Sequence, residues 1–289
     1  MASTRQLKLR IRSVKSTKQI TKAMQLVAAS KMRRAQDAEK ASAPYTQAAS
    51  ELLTYLASQG ATKNHALFQA RDIKSRLLIV IGSDKGLVGA YNANVVKAYI
   101  RELQRDNKAG VKNETIAVGR KASQFVARLK DTVVVGAYEH LPDQPAGSEL
   151  RAMLDTARDK YISGEVDAVD IIYTEFLSSI NQKVTTLRML PAGFTETEVT
   201  REVREALYEP DVETVLDAVT YRLISAQLFQ ALLDGKASEY SMQMIAMKNA
   251  TDNASELVDD LTIEMNKVRQ GAITQELAEI SGGVEALSE

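Results

Sequence analysis

The chain has 289 residues, 45% of them hydrophobic, enough to bury a real core in one large domain or two smaller ones, and its 37 Lys plus Arg balance 37 Asp plus Glu. It has no Cys and only two His, His65 and His140, far apart in sequence, which excludes a disulfide framework, a thiolate metal site and a His-based metal cluster. No apolar run approaches the length that spans a bilayer, and many Ala, Met, Gln and Glu with few aromatics favour helix.

The zero net charge hides a strong asymmetry. Residues 1–40 hold eleven basic residues against two acids, a net +9, and residues 250–289 hold two against nine, a net −7. Arg5 to Gln36 carries ten Lys and Arg and no acid. A basic amphipathic helix often serves nucleic acid or a membrane surface, but nucleic acid asks for no acidic tail. A basic arm lying against the chain's own acidic end explains both halves.

In chain order, the N-terminal segment places Leu7, Ile11, Val14, Thr17, Ile20, Met24 and Val27 three or four residues apart, the stripe of an amphipathic helix. Ser3 or Thr4 can cap its start. It runs to about Leu56, with a kink expected near Pro44. The texture then changes to short buried-strand runs: Arg76 to Gly82, Thr115 to Gly119, Thr132 to Gly136 and Asp167 to Phe176, separated by helix-like stretches. That alternation predicts β-α-β units and a parallel sheet. A further strand is expected at Val184 to Leu190, ended by Pro191.

The loop Gly82 to Asn92, "GSDKGLVGAYN", could present amides to phosphate at a strand-to-helix junction. It lacks the Gly-Lys-Ser/Thr ending of a phosphate loop and the spacing of a dinucleotide fingerprint, so it reads as a tight turn that displays Lys85. Glu209-Pro210-Asp211 starts the last helix, with Pro tolerated in the first turn and acids favoured by the dipole. From Ala237 its apolar stripe runs Tyr240, Met244, Met247, Thr251, Ala254, Val258, Leu261, Met265, Val268 and Ala272, the seam of a coiled coil. Beyond it, Ile273, Leu277, Ile280, Val284 and Leu287 continue an apolar stripe with no partner left in the chain. That predicts a socket on another protein. Asp259-Asp260 points to two sides of this helix and forms no catalytic pair.

Three stretches carry a family resemblance: "KSTKQITKAMQLVAASKMRRAQ" (Lys15 to Gln36), "GLVGAYNANV" (Gly86 to Val95) and "MKNATDNASELVDDLTIEMNKVRQGAITQELAEISGG" (Met247 to Gly283). They resemble the bacterial ATP synthase gamma subunit family, the central rotor shaft, in order along the whole chain. The resemblance implies a long antiparallel coiled coil of residues 1–57 and 209–289 with an inserted Rossmann-like α/β domain at 76–190. It implies no active site and no cofactor. It places the chain peripherally on the cytoplasmic side of the cell membrane, bound there through its complex alone. The implied partners are the alpha and beta subunits, the epsilon subunit and the membrane c-ring, with no nucleic acid.

Carried over by position, Ile273, Leu277 and Ile280 look like the part held in an apolar bearing of the alpha and beta ring. Arg269, Gln270 and Thr274 match polar contacts with a beta loop, and Met24 lies opposite on the first helix. Lys85 and Val88 match a region facing an acidic beta loop, and Tyr208 and Glu209 match the foot on the c-ring and epsilon. The resemblance leaves two sinks for the N-terminal cations, the acidic helix of the same chain and acidic surfaces of beta. Rival readings are a basic coiled-coil nucleic-acid-binding protein and a nucleotide-dependent enzyme built on the central sheet.

Overall fold

The computed structural model describes residues 3–129, 132–143, 147–194, 196–204, 206 and 208–288, without the side chains of 42, 43, 45, 46, 147, 148 and 282–288. In chain order the elements are α1 (Thr4–Ser58), β1 (Ser75–Ile81), α2 (Tyr91–Ala109), β2 (Lys112–Val118), α3 (Arg120–Val126), β3 (Val133–Tyr138), α4 (Gly147–Ile162), β4 (Ala168–Phe176), β5 (Gln182–Leu190), α5 (Arg201–Arg204) and α6 (Val212–Ser288). The chain divides into two compact units, residues 1–28 with 244–289 and residues 29–243.

The first unit is an antiparallel helix pair. Leu7 and Ile11 of α1 pack on Leu261 of α6, with Val14, Val258, Met265 and Val268 around them. Further along α1, the Thr21 hydroxyl lies 2.8 Å from that of Thr251, so the two helices run in opposite directions. The α1 start is a capping box: the Gln6 amide donates to Ser3 Oγ at 3.3 Å, and the Gln6 side chain accepts from the Ser3 amide at 3.0 Å.

The inward positions Leu7, Thr21 and Ala28 of α1, and Met247, Ala254 and Leu261 of α6, are buried at multiples of seven. A strict seven-residue repeat is the coiled-coil period. It corrects the α1 stripe read from sequence, which advanced by threes from Ile11 to Ile20. Thr17 is exposed and Thr21 is inside, while Ile20 and Val27 stand 61% and 56% exposed. At 3.6 residues per turn a run of threes drifts off the seam.

The second unit is built on one sheet of order β3-β2-β1-β4-β5. β1 is central, pairing in parallel with β2 and β4, and β2 pairs in parallel with β3. β5 is antiparallel to β4, with Glu175 opposite Lys183, where the sequence pattern predicted a parallel sheet. The reason is connection length: the short turn between β4 and β5 can close a hairpin but cannot hold the crossover that a parallel strand needs. Leu78, Val80, Ala117 and Ile172 of the sheet face Val95 and Tyr99 of α2 and Ala122 and Val126 of α3. The opposite face packs on Met153, Leu154 and Tyr161 of α4 and on Ile224, Leu228, Ala231 and Leu232 of α6.

α6 is therefore also a layer of the α/β unit. From Ala231 to Ser241 every residue but Lys236 is buried, which fits a helix enclosed on all sides. Leu53 and Leu56 of α1 close on Leu216 and Leu223 of α6. The Asp211 carboxylate caps α6, accepting from the Thr214 amide at 2.8 Å and its hydroxyl at 2.9 Å.

A buried ion cluster ties α2 to the sheet. The Arg76 guanidinium donates to Asp170, to Glu102 at 2.8 Å and to Asp106 at 3.0 Å, and Arg188 donates to Asp170 from β5. Arg76, Asp106 and Asp170 are all buried, so Asp106 depends on the Arg76 guanidinium, while Asp170 is held by Arg76 and Arg188 together.

Candidate partner-contact surfaces

The helix pair of the first unit runs out of partner at its C-terminal side. After Val268 every described α6 side chain to Ser281 is exposed. Ile273, Leu277 and Ile280 are 49%, 60% and 62% exposed; steps of four and three set them on one stripe. Arg269, Gln270 and Thr274 are exposed beside it, the Thr274 hydroxyl donating back to the Gln270 carbonyl at 3.0 Å. Val284 and Leu287 fall outside the described side chains.

On α1, Met24 is half-buried, and Ile20 and Val27, one turn either side of it, are exposed. These three form an outward apolar ridge that the sequence stripe had placed inside the seam. The cations nearby are unspent: among the described residues, no Lys or Arg between 5 and 22 forms an ion pair with an acid of α6. Asp259 and Asp260 are exposed. Over residues 5–22 the expected neutralisation of the basic arm by the acidic helix is thus not made among the described residues, and this charge faces outward, whereas Lys31 further along α1 pairs with Asp143 at 3.0 Å.

In the second unit, the turn after β1 is held from within. The Ser83 amide donates to Asn92 Oδ1 at 3.0 Å, Asn92 Nδ2 donates to Ser83 Oγ at 2.7 Å, and that hydroxyl donates to the Lys85 carbonyl at 2.7 Å. The Asp84 carboxylate accepts from the backbone amides of Arg120 at 3.0 Å and His140 at 2.9 Å, with Lys236 of α6 at 3.8 Å. Burial pulls the Asp84 pKa up, but these amides and the Lys236 charge outweigh it and leave the pKa below the ordinary value.

Gly82 and Gly119 serve close packing here. A Cβ on Gly119, whose φ is +86°, would lie 2.3 Å from the Gly82 carbonyl oxygen. The glycines answer to strand-to-helix contact, and the phosphate-loop reading gains nothing from them.

The turn points Lys85 outward, as the sequence predicted, but Val88 is buried at 3%. Its apolar offering is Leu87, 62% exposed and held at φ 65°. A bulky residue in the left-handed region is a rare conformation that clusters at functional sites. Motif reading passed over Leu87 because sequence does not show which of two adjacent apolar residues turns inward.

At the α6 start, Tyr208 is half-buried, its ring stacked on Tyr55 at 6.1 Å and its hydroxyl donating to the Val203 carbonyl at 3.0 Å. Burial, then the neighbouring Tyr55, raises its pKa. Glu209 is exposed. Both residues line an open cavity of about 500 Å³ with Ala48, Leu52, Val203 and Val215. His65, one of the two histidines, has a structural part: its ring meets Asp217 at 2.7 Å and accepts from the Leu67 amide at 3.3 Å.

Comparison with known proteins brings these surfaces into one frame. The family model described as ATP synthase matches residues 3–287. The ATP synthase gamma chain of Stenotrophomonas maltophilia (strain R551-3) is 38% identical over 288 residues, covering 99% of this chain and 100% of the relative. That of Macrococcus caseolyticus is 38% identical over 288 residues, with 99% and 100% covered. Among solved structures, a chain of the Euglena gracilis mitochondrial ATP synthase aligns with TM-score 0.68 at 20% identity, over 98% of this chain and 94% of the other. A chain of the Tetrahymena thermophila mitochondrial ATP synthase central stalk and c-ring aligns with TM-score 0.57 at 25% identity, over 80% of this chain and 99% of the other. With a full-length family match and relatives of this identity, the chain belongs to the ATP synthase gamma chain family.

Proposed function

We propose that this chain is the non-catalytic central shaft of a rotary ATP synthase, transmitting rotation between a membrane c-ring and catalytic beta subunits. One observation carries the reading: α6 continues past its helical partner with Ile273, Leu277 and Ile280 exposed on one stripe. An apolar ridge of this kind calls for a sleeve. Burial is non-directional and roughly proportional to area, so a ridge in an apolar sleeve has no strongly preferred angle.

In this reading Ile273, Leu277 and Ile280 turn against the alpha and beta subunits, with Arg269, Gln270, Thr274 and Met24 making polar and apolar contacts around them. Lys85 faces an acidic beta surface, and Leu87 takes the place that the sequence assigned to Val88. The outward cations of α1 meet acidic beta surfaces in pairs worth ~0 to 1 kcal/mol each, weak enough to break and reform in every turn. Tyr208 and Glu209 meet the c-ring and the epsilon subunit.

Among the described residues no helix is long and apolar enough to cross a membrane; the chain is held peripherally at the cytoplasmic face of the cell membrane by its partners. A nucleic-acid role is disfavoured because the exposed acids Asp259 and Asp260 share the helix pair with the basic helix and would repel phosphate. Co-expression with its own alpha and beta subunits tests the proposal. A stable, ATP-hydrolysing complex containing this chain is expected, and purification of the chain free of both subunits would overturn it.

A further inference from the structure

Within the second unit, the loop after β3 reaches both long helices at one place. The Lys31 ammonium of α1 lies 3.0 Å from the Asp143 carboxylate of that loop and donates to the Tyr240 hydroxyl of α6 at 3.4 Å. The hydroxyl in turn donates to Asp143, which closes a ring of three polar contacts, and Lys31 also stands 5.1 Å from the centre of the Tyr240 ring. Burial raises the Asp143 pKa, but the bonds from Tyr240 and Lys31 and the Lys31 charge outweigh it and hold it below the ordinary value. Burial, then the bond to Asp143, raises the Tyr240 pKa, so the phenol keeps its proton and donates.

The loop is itself braced. His140 stands at φ 57°, a conformation that persists only where its surroundings hold it, and its amide donates to Asp84 of the turn after β1 at 2.9 Å. Lys236 of α6 lies 3.8 Å from the same Asp84 and 3.5 Å from Glu239, which is buried. Directional contacts therefore run from the turn after β1 through the loop to α1 and α6. The buried α1 positions nearest to Lys31, Ala28 and Ala35, carry only methyl groups. Apolar contact is non-directional, so packing there sets no angle strongly, whereas hydrogen bonds weaken steeply as their geometry departs from linear.

We propose that Lys31, Asp143 and Tyr240 are positioning residues that lock α1 and α6 to the sheet against twist, a role that rests on the shaft reading and deepens it. α1 and α6 are the two helices that continue from the second unit into the first, so torque taken up by the second unit leaves through them. The 273–280 ridge has to turn freely and uses non-directional contact. The clamp has to hold its angle and uses charge-assisted hydrogen bonds, which are the strong ones.

The test is the angular fluctuation of a bead carried by the chain in an assembled complex whose cysteine-free alpha and beta subunits are fixed to a surface. The bead is attached through Ile180→Cys, at a site 86% exposed on the turn between β4 and β5, in a chain with no native Cys. Its angular variance is read in the pauses of ATP-driven rotation. With the directional bonds of the Lys31 ammonium removed, Lys31→Met should raise this variance about twofold or more over the parent. Tyr240→Phe, which keeps the ring and loses the hydroxyl, should raise it less, and Lys31→Arg, which keeps the charge and donors, should stay close to the parent. If Lys31→Met does not assemble, Tyr240→Phe decides by the same measure. Parent-like variance in the deciding variant, whatever its Tm, overturns the clamp and leaves the shaft reading standing. A parent complex that forms and hydrolyses ATP without rotating overturns both.

Discussion

Replacing Asp234 by Asn should stabilise the second unit, and more so as pH rises. Asp234 lies on α6 with only 6% of its surface exposed. Burial, then the charges of Glu39 on α1 and Glu175 on β4, pushes its pKa from 3.8 up to about 7. Because the folded pKa is raised above the unfolded one, the folded chain keeps a proton that the unfolded chain gives up. The stability this proton carries is present below the unfolded pKa and is lost as pH rises through about 7. One pKa unit is about 1.4 kcal/mol, so the loss between about pH 5 and about pH 8 has an upper bound of about 3 kcal/mol. Residual solvent contact screens this to about 1 to 2 kcal/mol.

Asn keeps the shape and carries no charge, so its advantage over Asp should widen by that amount across the window, or about 2 to 8 °C in Tm. All ten tyrosines fall between residues 29 and 243, in the second unit, so near-ultraviolet circular dichroism follows this unit alone. Parent and Asp234→Asn melting curves that keep a constant separation from pH 5 to pH 8 would refute the reasoning.

Other substitutions probe the remaining supports. Arg76→Met should cost about 3 to 5 kcal/mol of stability in denaturant unfolding, because it leaves Asp106 buried without its cation and Asp170 with Arg188 alone. Leu261→Ala should remove about 3 kcal/mol from the helix pair and speed hydrogen exchange in residues 4–28 while sparing the sheet. Gly119→Ala should lower Tm by several degrees, since its Cβ would meet the Gly82 carbonyl at 2.3 Å in a left-handed backbone. Leu277→Asp should leave the free chain as helical as the parent and weaken its assembly with alpha and beta subunits by about tenfold, the cost of a charge in an apolar sleeve.

The strands were legible because β1 and β4 are buried on both faces and read as continuous apolar runs. The α6 seam was legible because its repeat carries large residues at most inward positions. α1 was harder: its inner positions Thr21, Ala28 and Ala35 are small or polar, so the exposed Ile20 and Val27 drew the stripe off the true seam. The double duty of α6 was also hidden. Ala231 to Ser241 is enclosed by more than one neighbour, and the periodicity of one face says little about a helix buried all round. Arg76 gave no signal, since its partners Glu102, Asp106 and Asp170 come from other elements. Among the site residues, the 273–280 ridge and Lys85 could be read as outward from pattern, whereas the exchange of Leu87 for Val88 depends on a backbone turn.

Residue-specific labelling tests the central claim most directly, because the chain has no native Cys and a single Leu277→Cys can be followed with a thiol reagent. The free chain should label quickly at this exposed position, and the same chain assembled with alpha and beta subunits should be protected, while an Ile180→Cys control, at a site 86% exposed, sets the unprotected rate in the free chain. Equal labelling of Leu277→Cys in the free and assembled states would contradict the apolar ridge as the part of the chain that turns inside its partners.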